Sequence, residues 1–394
     1  MPSGIIGAPL SWIRRMTATV PIHLVSALLE AERAIGRLAG SMADPSHRER
    51  LWADAARREA TAAARLDGAG VDVTDFLIAT VDPELVPPAR RATGIAAHAL
   101  WAGIRLAQGR GRVAAPPPPF ELTAPGGSRH IDVPFGIASA AWRAVAELES
   151  KDNRGEAAAI GTPEPARVMP PAWTVGWLEC LWRATQDGVS GREGHTFSPD
   201  EERQAGTLLD RLDEMLRQPG LVGGIEALAY LLRPAEVARV APWAIPLARL
   251  IAPALLARVC RMPDLWLPPS PTLWTERTAA RLTAGGTDLE WRVWLAGALT
   301  DAAHTERRRA GELDGIAVAW RDRTGTRRRN SKLPEVLEWL FEHPAFTVRR
   351  LQRRFGITFR GAQLIIDDLV EAGVVREVTQ RALDRVYVAT DLML

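Results

Sequence analysis

The chain has 394 residues, of which 47% are hydrophobic and 24% charged, with 49 Lys and Arg against 47 Asp and Glu and a formal net charge of +2. That length exceeds one ordinary core and suggests two or three domains. The composition excludes a disordered or collagen-like chain, and near neutrality excludes a whole-molecule field that draws in nucleic acid. Affinity for a polyanion therefore has to come from local clusters. Tyr (2) and Phe (8) are scarce beside Ala and Leu, which favours helices, because unbranched side chains lose little rotamer freedom there. The 14 Trp residues read as large core fillers between helices.

Along the N-terminal part, Arg14 and Arg15 follow the short apolar stretch instead of preceding it, so no export signal is expected. The segment 1–107 reads as helical. Leu24, Leu28, Ala31, Ile35 and Leu38 recur at helical spacing up to a stop at Gly40. A second helical run covers 48–66 before the turn pair Asp67-Gly68, and a third covers 88–106 after Pro87-Pro88. The segment 108–172 collects Pro and Gly, including Pro116, Pro117, Pro118 and Pro119, and reads as a linker region.

A second helical body is expected over 173–320. Its most apolar window, 241–260, is interrupted by Pro242, Pro246, Arg249, Pro253 and Arg258. That pattern suits a buried helix better than a membrane span, where charges cost several kcal/mol. Arg307, Arg308 and Arg309 read as a solvated run. A basic linker follows over 321–332, in which Arg327, Arg328 and Arg329 are either solvated or a contact for an anionic backbone.

Familiar chemical motifs are missing from the sequence. It has no Gly-rich loop ending in Lys-Ser or Lys-Thr, no His-Glu-x-x-His and no Gly-x-Ser-x-Gly. The seven histidines are scattered, and Cys180 and Cys260 lack any paired spacing, so no metal or cofactor is expected and a reducing cytoplasm is the natural compartment. Glu30 with Glu32, and Asp210 with Asp213 and Glu214, read as ordinary carboxylates on helix surfaces.

The segment 333–394 carries the clearest pattern. A first helix over 333–343 offers Val336, Leu337, Trp339 and Leu340 to a small core and ends at Pro344. Thr347 caps a second helix with Val348, Leu351 and Phe355 inward and Arg349, Arg350, Arg353 and Arg354 on the other face. Gly356 permits a tight turn, Thr358 caps a third helix whose buried side is Ala362, Ile365, Ile366 and Leu369, and Gly373 stops it. Two β-rich runs, 374–378 and 385–389, flank a basic tip. Together these features read as a winged helix-turn-helix whose third helix, 358–372, enters the DNA major groove. Phe359, Arg360, Gly361 and Gln363 are then the residues expected at base edges. Thr347, Arg349, Arg350, Thr358, Arg381 and Arg385, with Arg328 and Arg329, are expected at the DNA backbone. Leu364, with Asp367 and Asp368, runs against that reading and leaves open a protein-docking role.

The stretch 356–379, GITFRGAQLIIDDLVEAGVVREVT, closed by RVYVA at 385–389, resembles the C-terminal winged helix of many bacterial Fic-family proteins. The stretch 59–68, EATAAARLDG, resembles the N-terminal segment of that family, and 248–256, 274–281 and 289–295 follow the order of its later helices. The resemblance implies a Fic-like helical body but not its activity. Aligning Arg249 with the last arginine of the family's His-Pro-Phe to Gly-Asn-Gly-Arg loop puts Ala238 where the catalytic histidine belongs, Ala244 at the asparagine and Pro246 at the phosphate-binding arginine. Ala takes no proton and Pro offers no N–H to a phosphate. The family's inhibitory glutamate falls at Asp67 and its serine partner at Ala63. The fold expected is therefore mainly α, a degenerate Fic-like body joined to a small α+β winged helix. The function expected is that of a sequence-specific DNA-binding regulator and not an enzyme, with double-stranded DNA and a second copy as partners and the body open to a protein partner. A protein-docking scaffold is the alternative, with residual nucleotide transfer ranking behind it.

Overall fold

The structure, a computed structural model, describes residues 21–42, 44–108, 178–179, 181–182, 197–217, 221–260, 262, 265–275, 287–325, 332–381 and 384–393. Among them the chain is mainly helical with one small antiparallel sheet. The helices are α1 (Ile22–Ser41), α2 (Pro45–Leu66), α3 (Val73–Ala79), α4 (Arg91–Ala107), α5 (Pro199–Met215), α6 (Leu221–Leu231), α7 (Pro234–Ala238), α8 (Ile245–Val259), α9 (Ser270–Thr275) and α10 (Asp288–Thr324). A C-terminal unit follows: α11 (Leu333–Glu342), β1 (Ala345–Thr347), α12 (Val348–Phe355), α13 (Phe359–Glu371), β2 (Val375–Glu377) and β3 (Val386–Ala389). Most of 108–172 lies outside the described residues.

The element starts follow from local chemistry. Asp44 accepts from the Ser46 N–H at the head of α2, Asp72 caps α3, and Ser198 and Thr287 each form a reciprocal capping box with a Glu three residues on. The stripe Leu24, Leu28, Ala31, Ile35 and Leu38 of α1 is buried and packs mainly on α10. Helix α10, 37 residues and about 55 Å long at 1.5 Å per residue, also packs against α2, α6 and α11. The segments that look separate along the sequence thus share one continuous apolar core. Trp266, Trp291, Trp320 and Trp339 fill it, in keeping with the core role read from the sequence, whereas Trp274 is exposed. The apolar window Pro242–Val259, mean hydropathy 1.3, is long and apolar enough to cross a membrane, yet 61% of it is buried inside the protein, where α8 packs on α6 and α4.

Two expectations need correction. The basic linker was to begin at residue 321, but α10 continues through Thr324 and ends at Gly325, which adopts φ +60. Arg309, read as part of a solvated run, turns inward instead and donates to both carboxylate oxygens of Asp54 at 3.1 and 3.0 Å. Asp54 is wholly buried in α2, and its cation partners are Arg57, Arg58 and Arg309. Burial alone raises that carboxyl, but the three guanidinium groups outweigh it and hold it at about 2. Arg58 continues the chain of charges with two bonds to Glu306 of α10, 2.7 and 2.6 Å. An apolar helix interface would carry no such charges, and removing one partner from a buried ion set leaves an uncompensated charge.

The C-terminal unit is held on this body by side chains from several elements. Arg50 donates to Glu338 at 2.8 and 2.9 Å and to Asp314 at 2.9 Å, Arg57 donates to the Phe341 carbonyl, and Arg105 of α4 pairs with Glu342. From the other edge, Trp320 Nε1 donates to Asp391 at 2.7 Å and Arg323 pairs with the same carboxylate. The sheet order is β1-β3-β2, with Ala345 opposite Val388 and Val375 opposite Ala389.

Candidate nucleic-acid interface

Helix α12 begins where the Thr347 hydroxyl accepts the Arg350 N–H at 3.3 Å and ends at Gly356, which sits in the left-handed region at φ 61. A side chain there would be strained, so the turn into α13 depends on glycine. Thr358 then caps α13 by accepting the Gly361 N–H at 3.1 Å. Ala362, Ile365, Ile366 and Leu369 face inward, as their spacing implies, and α13 packs chiefly on α12 and β2. Its opposite face points to solvent and carries Phe359 (54% exposed), Arg360, Leu364 (37%) and Val370 (45%).

Of the residues expected at base edges, Phe359 and Arg360 stand exposed on the first turn, and Arg360 has no ion-pair partner among the described residues. Gly361 is half-buried beneath the cap, where a Cβ would lie 3.2 Å from Thr358 Oγ1, so its side of the helix offers only backbone. Gln363 lies one turn on, and its amide nitrogen donates to Asp367 at 2.9 Å.

Among the described residues, those expected at the backbone divide into two groups. Arg349 is exposed and lies 4.0 Å from Asp384 of the hairpin, which brings the start of α12 and the β2–β3 tip together. Arg381 and Arg385 are exposed on that tip, where Arg385 Nε donates to the Arg381 carbonyl at 2.9 Å and approaches Glu377 at 3.9 Å. Gln380 and Asp384 adopt positive φ, 49 and 51, on either side of it. Thr347 and Thr358 are spent on the two caps. Arg350 points elsewhere: it donates to the Thr80 carbonyl at 3.1 Å, at the end of α3, and touches His343 Nδ1 at 3.4 Å. An orphan carbonyl at a helix end attracts a cation, and only tertiary packing brings Thr80 within its reach. Arg328 and Arg329 lie outside the described residues.

Behind the interface, burial holds the His343 imidazole down at about 3, with Arg350, Arg105 and Arg354 adding to the effect against the opposing Glu342 carboxylate. His343 is therefore neutral at physiological pH and accepts from or stacks with its neighbours, including the Trp339 ring at 5.0 Å.

Along α13 the exposed charge changes sign, from Arg360 on the first turn to Asp367 and Glu371 later. Arg353 and Arg354 are exposed at the end of α12, and Arg349, Arg381 and Arg385 are exposed at the start of α12 and on the hairpin tip. Such a gradient favours an anion at the helix start and repels it beyond the second turn. No protein-family model matches the chain, and no curated protein matches it. No group of His, Cys, Asp or Glu among the described residues has the arrangement of a metal site.

Proposed function

We propose that 333–394 is a winged helix-turn-helix and that the protein reads double-stranded DNA with the first turn of α13 in the major groove. One observation carries this reading: Phe359 and Arg360 stand exposed on a capped helix start that follows the glycine turn after the arginine-rich α12. The order helix, strand, helix, helix and two-stranded hairpin, with β3 between β1 and β2, is the connectivity such a unit needs. Arg360 suits guanine through two hydrogen bonds, while Arg349, Arg381 and Arg385 suit phosphates.

In this reading the helical body over 173–320 is Fic-like, without its catalysis. The support for the resemblance is an ion pair between the two positions it singled out in distant segments: Arg249 Nη1 lies 2.5 Å from Asp67 Oδ1 and 3.4 Å from the Ala63 carbonyl. Ala238, Ala244 and Pro246 stand in α7, the following 3-10 turn and the start of α8, and none of them transfers a proton or binds a phosphate through a side chain. The protein in this reading is a cytoplasmic regulator and a two-fold dimer.

Selection of the purified full chain against a randomised duplex pool at about 150 mM salt, where non-specific phosphate affinity is weakened, tests the reading. Enrichment of one motif, lost with Arg360→Ala, supports it; a pool that stays random overturns it. A second reading, docking of a protein partner, draws on the exposed Phe359, Leu364 and Val370 of α13, and the same random outcome would favour it.

A further inference from the structure

We infer that Asp367 is a positioning residue that locks Gln363 into the orientation that reads adenine and rejects guanine. The inference rests on the DNA-reading proposal. A free glutamine side chain turns about its last bond with a two-fold preference, so its oxygen and nitrogen exchange places readily. Gln363 is not free in this sense. The bond it makes is to a carboxylate, which only accepts, so the group facing Asp367 is the amide nitrogen, at 2.9 Å. Side chains on a helix tilt toward its N-terminus, so Asp367, four residues later, leans back over Gln363 toward the turn that carries Arg360.

With one N–H consumed by Asp367, the amide keeps one N–H and the whole carbonyl oxygen for a base. One donor beside one acceptor matches the major-groove edge of adenine, which offers N7 as acceptor and its N6 amine as donor. Guanine offers two acceptors, N7 and O6. Two amide hydrogens would be needed there, and the second is engaged. Asp367 thus works against guanine as much as for adenine. Its charge is otherwise unfavourable on this face, because an exposed carboxylate beside DNA phosphates weakens binding to every sequence.

The experiment is duplex selection with the full-length wild type, Asp367→Ala, Asp367→Asn and Gln363→Ala, followed by affinities for two duplexes that differ only by adenine or guanine at the position Gln363 controls. Gln363→Ala identifies that position as the one where base preference vanishes. The expected result for Asp367→Ala is a fall of about fivefold to tenfold in the adenine-to-guanine ratio, within the range one paired base contact supplies, with thymine and cytosine still rejected. Asp367→Asn, which keeps the size and can either accept or donate, is expected to fall between the two. If Asp367→Ala tightens binding to all duplexes equally and leaves the ratio unchanged, Asp367 is only a local charge and the inference fails while the DNA reading stands. If wild type selects no sequence, both fail together.

Discussion

Arg57 of α2 donates from Nη1 to the carbonyl oxygen of Phe341 in the last turn of α11, at 2.6 Å. The final carbonyls of a helix have no partner within it, so an arginine of the body completes a helix of the C-terminal unit. The same guanidinium faces Asp54, 3.6 Å from its other nitrogen. One buried cation thereby ties the charge set at α2 and α10 to the base of the candidate interface.

That arrangement ranks two substitutions. Asp54→Asn leaves Arg57, Arg58 and Arg309 without their shared counter-ion and should cost on the order of 3–5 kcal/mol. Arg57→Met keeps Asp54 paired to two arginines but strands the Phe341 carbonyl, at about 1–3 kcal/mol. Urea unfolding of the two purified variants checks the order; equal or reversed losses would show that Asp54 is not the hub.

Glu59 and His343 give opposite responses to pH. Burial pushes the Glu59 carboxyl up to about 7 from 4.5 in spite of the Ser270 N–H and hydroxyl it accepts at 2.9 and 2.6 Å. The folded state then holds a proton that the unfolded state has lost between those values, so the stability Glu59 contributes is full below 4.5 and disappears as pH rises through 7. His343 runs the other way, from 6.5 down to about 3: its contribution is full above 6.5 and falls as pH drops toward 3. Glu59→Gln, which retains an acceptor and a donor for Ser270, should flatten the decline between pH 4.5 and about 7, and His343→Asn the decline on the acid side. Midpoints of denaturant unfolding across pH measure both, and an unchanged slope in either variant refutes the corresponding assignment.

Arg360 and Arg381 should fail differently. Arg360→Ala is expected to lose about 1–3 kcal/mol of discrimination at one base pair, whereas Arg381→Ala weakens binding uniformly and lowers the salt slope by about one. Titrations at several salt concentrations against a selected site and a scrambled one separate the two effects.

Close packing of α6 on α8 sets a further test away from the interface. A Cβ added at Gly224 would lie 2.4 Å from Cγ1 of Val259 and 3.1 Å from its Cβ. Gly224→Ala should therefore cost about 1–3 kcal/mol through overpacking, although alanine is the better helix former. A thermal midpoint equal to or above that of wild type would mean that the two helices separate without cost.

The caps and the repeating apolar stripes made much of this fold legible. Thr347, Gly356, Thr358 and Gly373 announce their turns because each satisfies a local backbone need, and Ala362, Ile365, Ile366 and Leu369 fall on one helical face by spacing alone. Helix α3 and strand β1 were not legible. The first has seven residues, too few for a periodic pattern, and the second is extended because Ala345 and Thr347 pair with Val388 and Val386 some 40 residues later. The inward turns of Arg309 and Arg350 were equally hidden, since their partners, Asp54 and the Thr80 carbonyl, come from remote helices. Exposed arginines such as Arg349 and Arg381 stayed where sequence put them, because no neighbour claims them strongly.

On the DNA-reading proposal, the anchoring of the C-terminal unit through Arg50, Arg57, Arg105 and Arg350 has a geometric consequence for the operator. A reading head on a loose tether adapts to half-sites at varied separations, whereas one clamped to its body carries a fixed pitch. In a two-fold assembly joined through the bodies, the two α13 helices would keep one spacing, near the about 34 Å of a DNA turn or a multiple of it. Inserting half a turn between half-sites would place one of them on the wrong side of the duplex, and the protein would have no slack with which to follow it.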